Sequence, residues 1–432
     1  MLLDRFVDTR PLRSAPAFRR LWIGTTAAGL GGQIATVAVL HRVWELTHSQ
    51  VWTGAIGLAV AVPTVAGGLL GGTLADTLDR RRLVLATTAA SLLAAAGLAL
   101  LAGAQLGGSL AVLPVLGLVA TQTAATALGA AARRTFIVHL LPTDLVPAGV
   151  ALNHLSFQIA VLAGPAVAGV VLATGGVRAA HLADVAGTTV SLYAVLRLPG
   201  GRARTAPGTP PAPGAQPAVR TVRAAVRATW EGWRYLLSRP ALRGCLAGDL
   251  AATALAMPMA LFPAVNAERF GGSEYTLGLF LSALAAGGLL AAAASGSLTR
   301  VQRSGRLVLA ASATWGLASG AFALVHSLPA TLSCLALAGA ADTIAVICRG
   351  TIVQVSTPDT HLGRVSAAEN IVGVAGPGLG NARAGAVAGA TSSEASALTG
   401  ALACVLAVGV IAATTPALRR WEQPTPATTG PT

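Results

Sequence analysis

Residues 51 to 75 contain no Asp, Glu, Lys or Arg, and neither do residues 21 to 40, 275 to 299 or 83 to 132. A helix of about 20 apolar residues crosses the hydrocarbon core of a bilayer, so these runs predict an all-α membrane protein. Only 11% of the 432 residues are charged, 54% are hydrophobic, and the mean hydropathy is +0.67. Soluble domains carry about a quarter charged residues. Uncharged stretches and turn clusters together predict twelve transmembrane helices. Six fall near 21–42, 51–75, 83–104, 109–131, 149–173 and 179–198. The other six fall near 244–266, 275–298, 307–326, 329–349, 366–390 and 395–416.

A formal charge of +14 raises the question of nucleic acid, and the placement of that charge answers it. All 30 basic residues are Arg. All but Arg42, Arg178, Arg269 and Arg383 fall in the N-terminal tail, alternate loops, the central segment or the C-terminal tail. Basic residues gather on the cytoplasmic side of short loops, so both termini are expected in the cytoplasm and no nucleic-acid partner is expected. The first 20 residues lack the apolar core and cleavage site of a signal peptide, and the first helix reads as retained. Cys245, Cys334, Cys348 and Cys404 lie in apolar stretches without metal or disulfide spacing. No metal, cofactor or catalytic constellation is expected, and the chain reads as no enzyme.

The organisation follows from composition. Residues 1–198 form a six-helix bundle and 244–418 a second one, with a cytoplasmic linker at 199–243 and a disordered tail at 419–432. The linker is rich in Pro, Gly and Ala from 200 to 217. It then carries Val219, Val222, Val226, Trp230, Trp233 and Leu237 at helical spacing, the pattern of an amphipathic helix lying on membrane lipid. The two halves repeat. "RRTFIVHLLPTDLVPAGVALN" from Arg133 lies over "RGTIVQVSTPDTHLGRVSAAE" from Arg349, "PAFR" from Pro16 over "PALR" from Pro240, and "AGGLL" from Ala66 over "AGGLL" from Ala286. Parallel repeats of six helices with a site between them describe a secondary transporter.

One loop concentrates charge. "GGTLADTLDRRRLVL" from Gly71 contains Gly72, Asp76, Arg80 and Arg81 in a pattern that resembles the G-x-L-A-D-R-x-G-R-K signature of the major facilitator superfamily. The resemblance implies a conformational motif in which the Asp and the arginines join a charge network that breaks as the transporter changes state. Glu369, placed at the start of the eleventh span with Arg364, is expected to cap that helix near Asp76. Thr77 and Asp79 depart from the signature. The stretches "PAFRRLWIG", "LTHSQVWTGAIGL", "LAGPAVAGVVLATGG", "LSRPALRG" and "PDTHLGRVSAAEN" also resemble the bacterial enterobactin exporter family. That resemblance implies a monomeric, proton-driven exporter of a small molecule, a siderophore or related natural product, in the bacterial cytoplasmic membrane. A multidrug or antibiotic-resistance pump is the alternative within the superfamily, and a non-transporting scaffold or sensor the alternative outside it. Gly164, Pro165 and Gly169 resemble the antiporter motif of facilitator exporters, and Gly376-Pro377 repeats the interruption in the eleventh span.

Ionisable groups inside membrane helices default to functional hypotheses. Asp342 is the first proton candidate and Asp249 the second. Arg383, deep in the eleventh span, is expected to pair with one of these carboxylates or with an anionic ligand. Arg133 and Arg349 are expected to close the fourth and tenth helices, where cations favour the C-terminus. Gln33 and Asn381, with His154 and Gln158, are polar groups expected toward the transport cavity. Retention of Asp342 and Arg383 weighs against a scaffold.

Overall fold

A computed structural model describes residues 8–104, 111–198, 222–294 and 302–422. Residues 199–221 of the expected linker and 423–432 of the expected tail lie outside the described residues. The helices are α1 (Arg10–Ser14), α2 (Pro16–Thr47), α3 (Gln50–Thr77), α4 (Arg80–Gly103), α5 (Val112–Leu140), α6 (Val146–Leu196), α7 (Val222–Ser238) and α8 (Pro240–Leu250). Then follow α9 (Phe262–Phe270), α10 (Glu274–Ala293), α11 (Ser304–Leu324), α12 (Leu328–Ser356), α13 (Asp359–Ala390), α14 (Ser393–Thr414) and α15 (Pro416–Arg419).

Among the described residues, 10 helical segments are long and apolar enough to cross a membrane. One of them, Thr143–Leu196, holds two helices joined at Gly176, whose φ of 70° only glycine adopts readily. The turn expected around residues 174 to 178 is thus reduced to one residue. A twelfth span is α13, made less apolar by Arg364, Glu369 and Arg383. Large apolar side chains face outward: Leu93 is 74% exposed, Leu100 72% and Leu290 71%. A surface of that kind is stable against acyl chains, where leucine gains nothing by turning inward.

By contacts the chain divides into two compact units. Met1–Arg227 with Phe262–Ser282 forms the first, and Ala228–Leu261 with Ala283–Thr432 the second. Within the first unit α2 runs along α6, with Gly24 against Ser191 and Ala194, Gly31 against Asp184, and Gly187 against Ala27. α3 meets α5 through Gly67 and Gly71, which face Ala127 and Leu128. In the second unit α10 crosses α12 where Gly287 faces Ala336 and Gly339 faces Leu284. Small residues at the crossings let backbones approach, which is how helices associate without a hydrophobic driving force between them.

In the second unit α7 packs on protein as well as presenting a lipid face. Leu236 is fully buried, Gly232 sits against the Arg364 carbonyl, and the Tyr235 ring stacks on His361 at 4.8 Å between centroids. Arg364 Nη1 lies 3.0 Å from Glu231 Oε2. Trp230 and Leu237 remain exposed, so one apolar edge docks α7 while another is left for the bilayer.

Candidate functional site

The helices of the second unit run further than the charge pattern suggested. α12 continues past Arg349 to Ser356, and α13 begins at Asp359. Pro358 sets both limits, because a proline disfavours helical geometry in the residue before it and is tolerated where a helix starts. Arg349 therefore sits two turns inside α12 rather than closing it, and Glu369 sits nearly three turns inside α13 rather than capping it. This register brings three elements together. The buried Arg349 guanidinium forms an ion pair with Asp249 of α8, and its Nε lies 3.0 Å from Glu369 Oε1 of α13. Side chains of Arg349 and Asp249 are each only 8% exposed. Such a pair persists in a low-dielectric interior only with this kind of mutual satisfaction.

Asp342 lies seven residues before Arg349 on α12, two turns along the same face. It is half-buried, and among the described residues it accepts no hydrogen bond and forms no ion pair. Two carboxylates thus share one buried guanidinium, and a third acid stands two turns away on the same helix.

Arg383 is placed differently from the expectation. α8 passes into a π-helical turn, Ala251–Leu255, and the helix breaks at Met257 and Pro258 before restarting. Pro258 has no N–H to continue the ladder. Arg383 Nη1 donates to the Leu255 carbonyl at 2.8 Å and to the Ser396 carbonyl at 3.2 Å, and Nη2 donates to Thr399 Oγ1 at 3.0 Å. Its partners are backbone carbonyls and a hydroxyl, not Asp342 or Asp249. Asn381 works on the other side of the break, its Oδ1 accepting from the Ala260 N–H at 2.9 Å. Trp315 Nε1 donates to the Ala252 carbonyl at 3.1 Å. α13 comes close enough to do this because Gly376 and Gly380 lie directly against Thr253.

In the first unit the corresponding glycine, Gly164 of α6, lies against the Gln33 side chain of α2. Gln33 is therefore at a helix crossing. Pro165 is accommodated inside continuous helix. Gly169 faces the backbone of Glu274 and Tyr275, so a Cβ there would stand 3.1 Å from Tyr275 Cα. Of the conformational motif, Gly72 and the Asp76 side chain lie outside what the structure describes. Arg81 Nη2 donates to the Leu196 carbonyl at 2.8 Å. Asp79, the departure from the signature, caps α4, its Oδ1 accepting from the Arg82 N–H at 3.0 Å. That hydrogen bond to the charged form holds the Asp79 carboxyl below its ordinary value of 3.8. The cap is complete above that ordinary value and is lost as the pH falls through the lower folded value. Asp79→Ala should speed amide exchange at Arg82 and Leu83 at neutral pH, read by hydrogen–deuterium exchange. Unchanged exchange would remove the cap from the account.

A cavity of about 210 Å³ also opens in the first unit, between α2, α5 and α6. Its walls include Phe18, Trp22, Thr25, Arg133, Asn153 and Phe157. Like Arg349, Arg133 is inside its helix and not at the end, because α5 continues to Leu140 and stops ahead of Pro142.

Residues 8–429 match the transmembrane secretion effector family. The chain belongs to that family of major facilitator transporters. It is 29% identical over 423 residues to the enterobactin exporter EntS of Citrobacter koseri, covering 97% of this chain and 96% of that protein. It is 28% identical over 425 residues to the enterobactin exporter EntS of Shigella boydii, again over 97% and 96%. Among solved structures the fold resembles the nucleoside transporter NupG, with a TM-score of 0.69 at 13% identity, covering 92% of this chain and 99% of that one. It also resembles a bacterial homologue of the iron transporter ferroportin in an inward-facing state, with a TM-score of 0.67 at 14% identity over 93% and 98%. This secretion effector is a multi-pass membrane transporter of the exporter type, with the twelve-helix major facilitator fold.

Two buried groups of the secretion effector escaped the sequence reading. Asp184 in α6 is 1% exposed and accepts from Gln122 Nε2 at 2.7 Å and from Thr188 Oγ1 at 3.4 Å. The rule that selected Asp342, a carboxylate inside an apolar run, selects Asp184 equally well. His41 in α2 places Nε2 3.3 Å from Glu45 Oε1 and 3.9 Å from Glu274 Oε1. No sequence signal joins residues 41 and 274, because that contact depends on packing.

Proposed function

We propose that this transporter exports a small molecule, a siderophore or related natural product, across the bacterial cytoplasmic membrane in exchange for external protons. It works as a monomer in lipid with both termini in the cytoplasm, residues 1–198 and 244–418 acting as the two moving bundles. The reading draws its substrate class from the enterobactin exporters at 28–29% identity. Its coupling rests on Asp342, a carboxylate two turns along α12 from the Arg349 guanidinium that Asp249 and Glu369 share. A third carboxylate there adds negative charge that a proton neutralises, so protonation of Asp342 changes the balance holding α8, α12 and α13 together. Antiport then follows if the proton and the substrate favour different states of the same two-state element.

Purified protein in liposomes with an imposed pH gradient tests this. Enterobactin should accumulate against its gradient with the wild type. With Asp342→Asn it should equilibrate without accumulating, while the variant melts at the wild-type temperature. Gradient-driven accumulation by Asp342→Asn would remove that residue as the coupling group. Transport of ethidium in place of enterobactin would move the reading to drug efflux.

A further inference from the structure

The internal repeat pairs more than sequence letters. Arg133 aligns with Arg349 and, in the same ungapped stretch, Asn153 aligns with Glu369. The match of "PAFR" to "PALR", continued without a gap, pairs Gly24 with Gly248 and Thr25 with Asp249. In the second unit these three positions are an arginine clasped by two carboxylates. In the first unit they are Arg133, Thr25 and Asn153, and all three line the 210 Å³ cavity. The repeat has kept the cation and lost both acids.

Arg133 is left with little to hold. Its Nη2 donates to Thr88 Oγ1 at 2.8 Å, its Nε is buried without an acceptor, and among the described residues no carboxylate lies within ion-pair distance. A cation inside a membrane helix without an anion is costly. The neighbouring hydroxyls cannot serve as donors to a ligand, because Thr25 and Thr26 donate to the Trp22 carbonyl and Ser156 donates to the Leu152 carbonyl. Asn153 is exposed and makes no hydrogen bond among the described residues, so the donors left for a ligand are its amide and the rest of the Arg133 guanidinium. Phe18, Trp22 and Phe157 supply aromatic walls.

We propose that this cavity binds an anionic aryl group of the exported molecule, an aryl carboxylate or acidic phenol, whose charge stands by Arg133 where Asp249 and Glu369 stand by Arg349. The assignment deepens the export reading and rests on it. At 210 Å³ the cavity is below the 300 Å³ or more of a pocket for a whole drug-sized ligand, so it holds one ring of a larger substrate. The ring stacks on the aromatic walls while the anion receives the Arg133 and Asn153 donors, and the threonine oxygens accept from a phenolic O–H.

The test is binding of salicylate and of its neutral isostere salicylamide to the purified full-length protein by titration calorimetry. Salicylate should bind at least about tenfold more tightly than salicylamide, the worth of a hydrogen bond to a charged group. Arg133→Gln should erase that preference. The decisive variant is Asn153→Glu, which restores the acid found at position 369 and occupies Arg133 from within. It should weaken salicylate about tenfold or more while melting at or above the wild-type temperature. Equal binding of the two probes, or salicylate binding by Asn153→Glu at wild-type strength, would overturn the assignment. So would competition by phosphatidylglycerol but not phosphatidylcholine in nanodiscs, which would give the cavity to an anionic lipid headgroup. Failure of the export reading shows separately: the wild type would then move nothing on a pH gradient while Arg133-dependent salicylate binding persisted.

Discussion

Arg349→Met should destabilise the protein by about 3–5 kcal/mol, the cost of removing one partner from a buried ion pair. The side chain is nearly isosteric along its stem, so the loss is electrostatic and not a cavity. Asp249, 8% exposed, would keep its charge with no cation among the described residues to meet it, and Glu369 would lose the Nε donor at 3.0 Å. Thermal melts in detergent, followed by size-exclusion fluorescence, measure this directly. Neutralising the acids as well, in Arg349→Met with Asp249→Asn and Glu369→Gln, should recover most of the loss, since uncharged groups in the same places carry a far smaller desolvation cost. A single Arg349→Met variant that melts with the wild type would show that water, not Arg349, satisfies the two carboxylates.

Arg383→Leu should cost about 1–3 kcal/mol for the Leu255 carbonyl alone, the price of an unsatisfied polar group where water cannot replace the donor. The Ser396 carbonyl loses less, because its contact with Arg383 is the longer one, at 3.2 Å. The damage should be local. Amides of the π turn and the residues up to Leu261 should exchange faster, since Arg383 and Asn381 hold the two sides of the break that Pro258 creates. Arg383→Lys should recover part of the protection, because an ammonium reaches one carbonyl but lacks the planar fork that spans two. If Arg383→Leu leaves exchange across 251–261 unchanged, the broken helix holds itself and the arginine has another purpose. The same experiment bears on mechanism, because helix interruptions in transporters mark sites and gates.

Much of the architecture was legible in advance. Absence of charge over 20 or more residues is a property of the local chain, and it located the membrane helices to within a few residues at most of their ends. The clearest errors came where a helix runs past the arginine that ends its uncharged run. Residues 350–356 and 134–140 continue as helix until Pro358 and Pro142 intervene, so the arginines that looked like C-terminal caps are interior. The proline, and not the charge, was the stop signal. For the site, the sequence nominated Asp249, Asp342, Arg349 and Glu369 separately and did not join them.

What the sequence by itself determined is what depends on a sum along the chain: a membrane protein, helical throughout its spans, built from a repeated half, with arginine concentrated in the tails, the central segment and alternate loops. Which charge meets which was decided only by tertiary structure. Arg349 found two acids, Arg383 found backbone carbonyls, and Asp79 found the start of its own helix, because partner choice turns on the rotation and depth of packed helices. Those are set by where glycines such as Gly376 and Gly380 let two backbones touch, and a window of hydropathy carries no record of that angle.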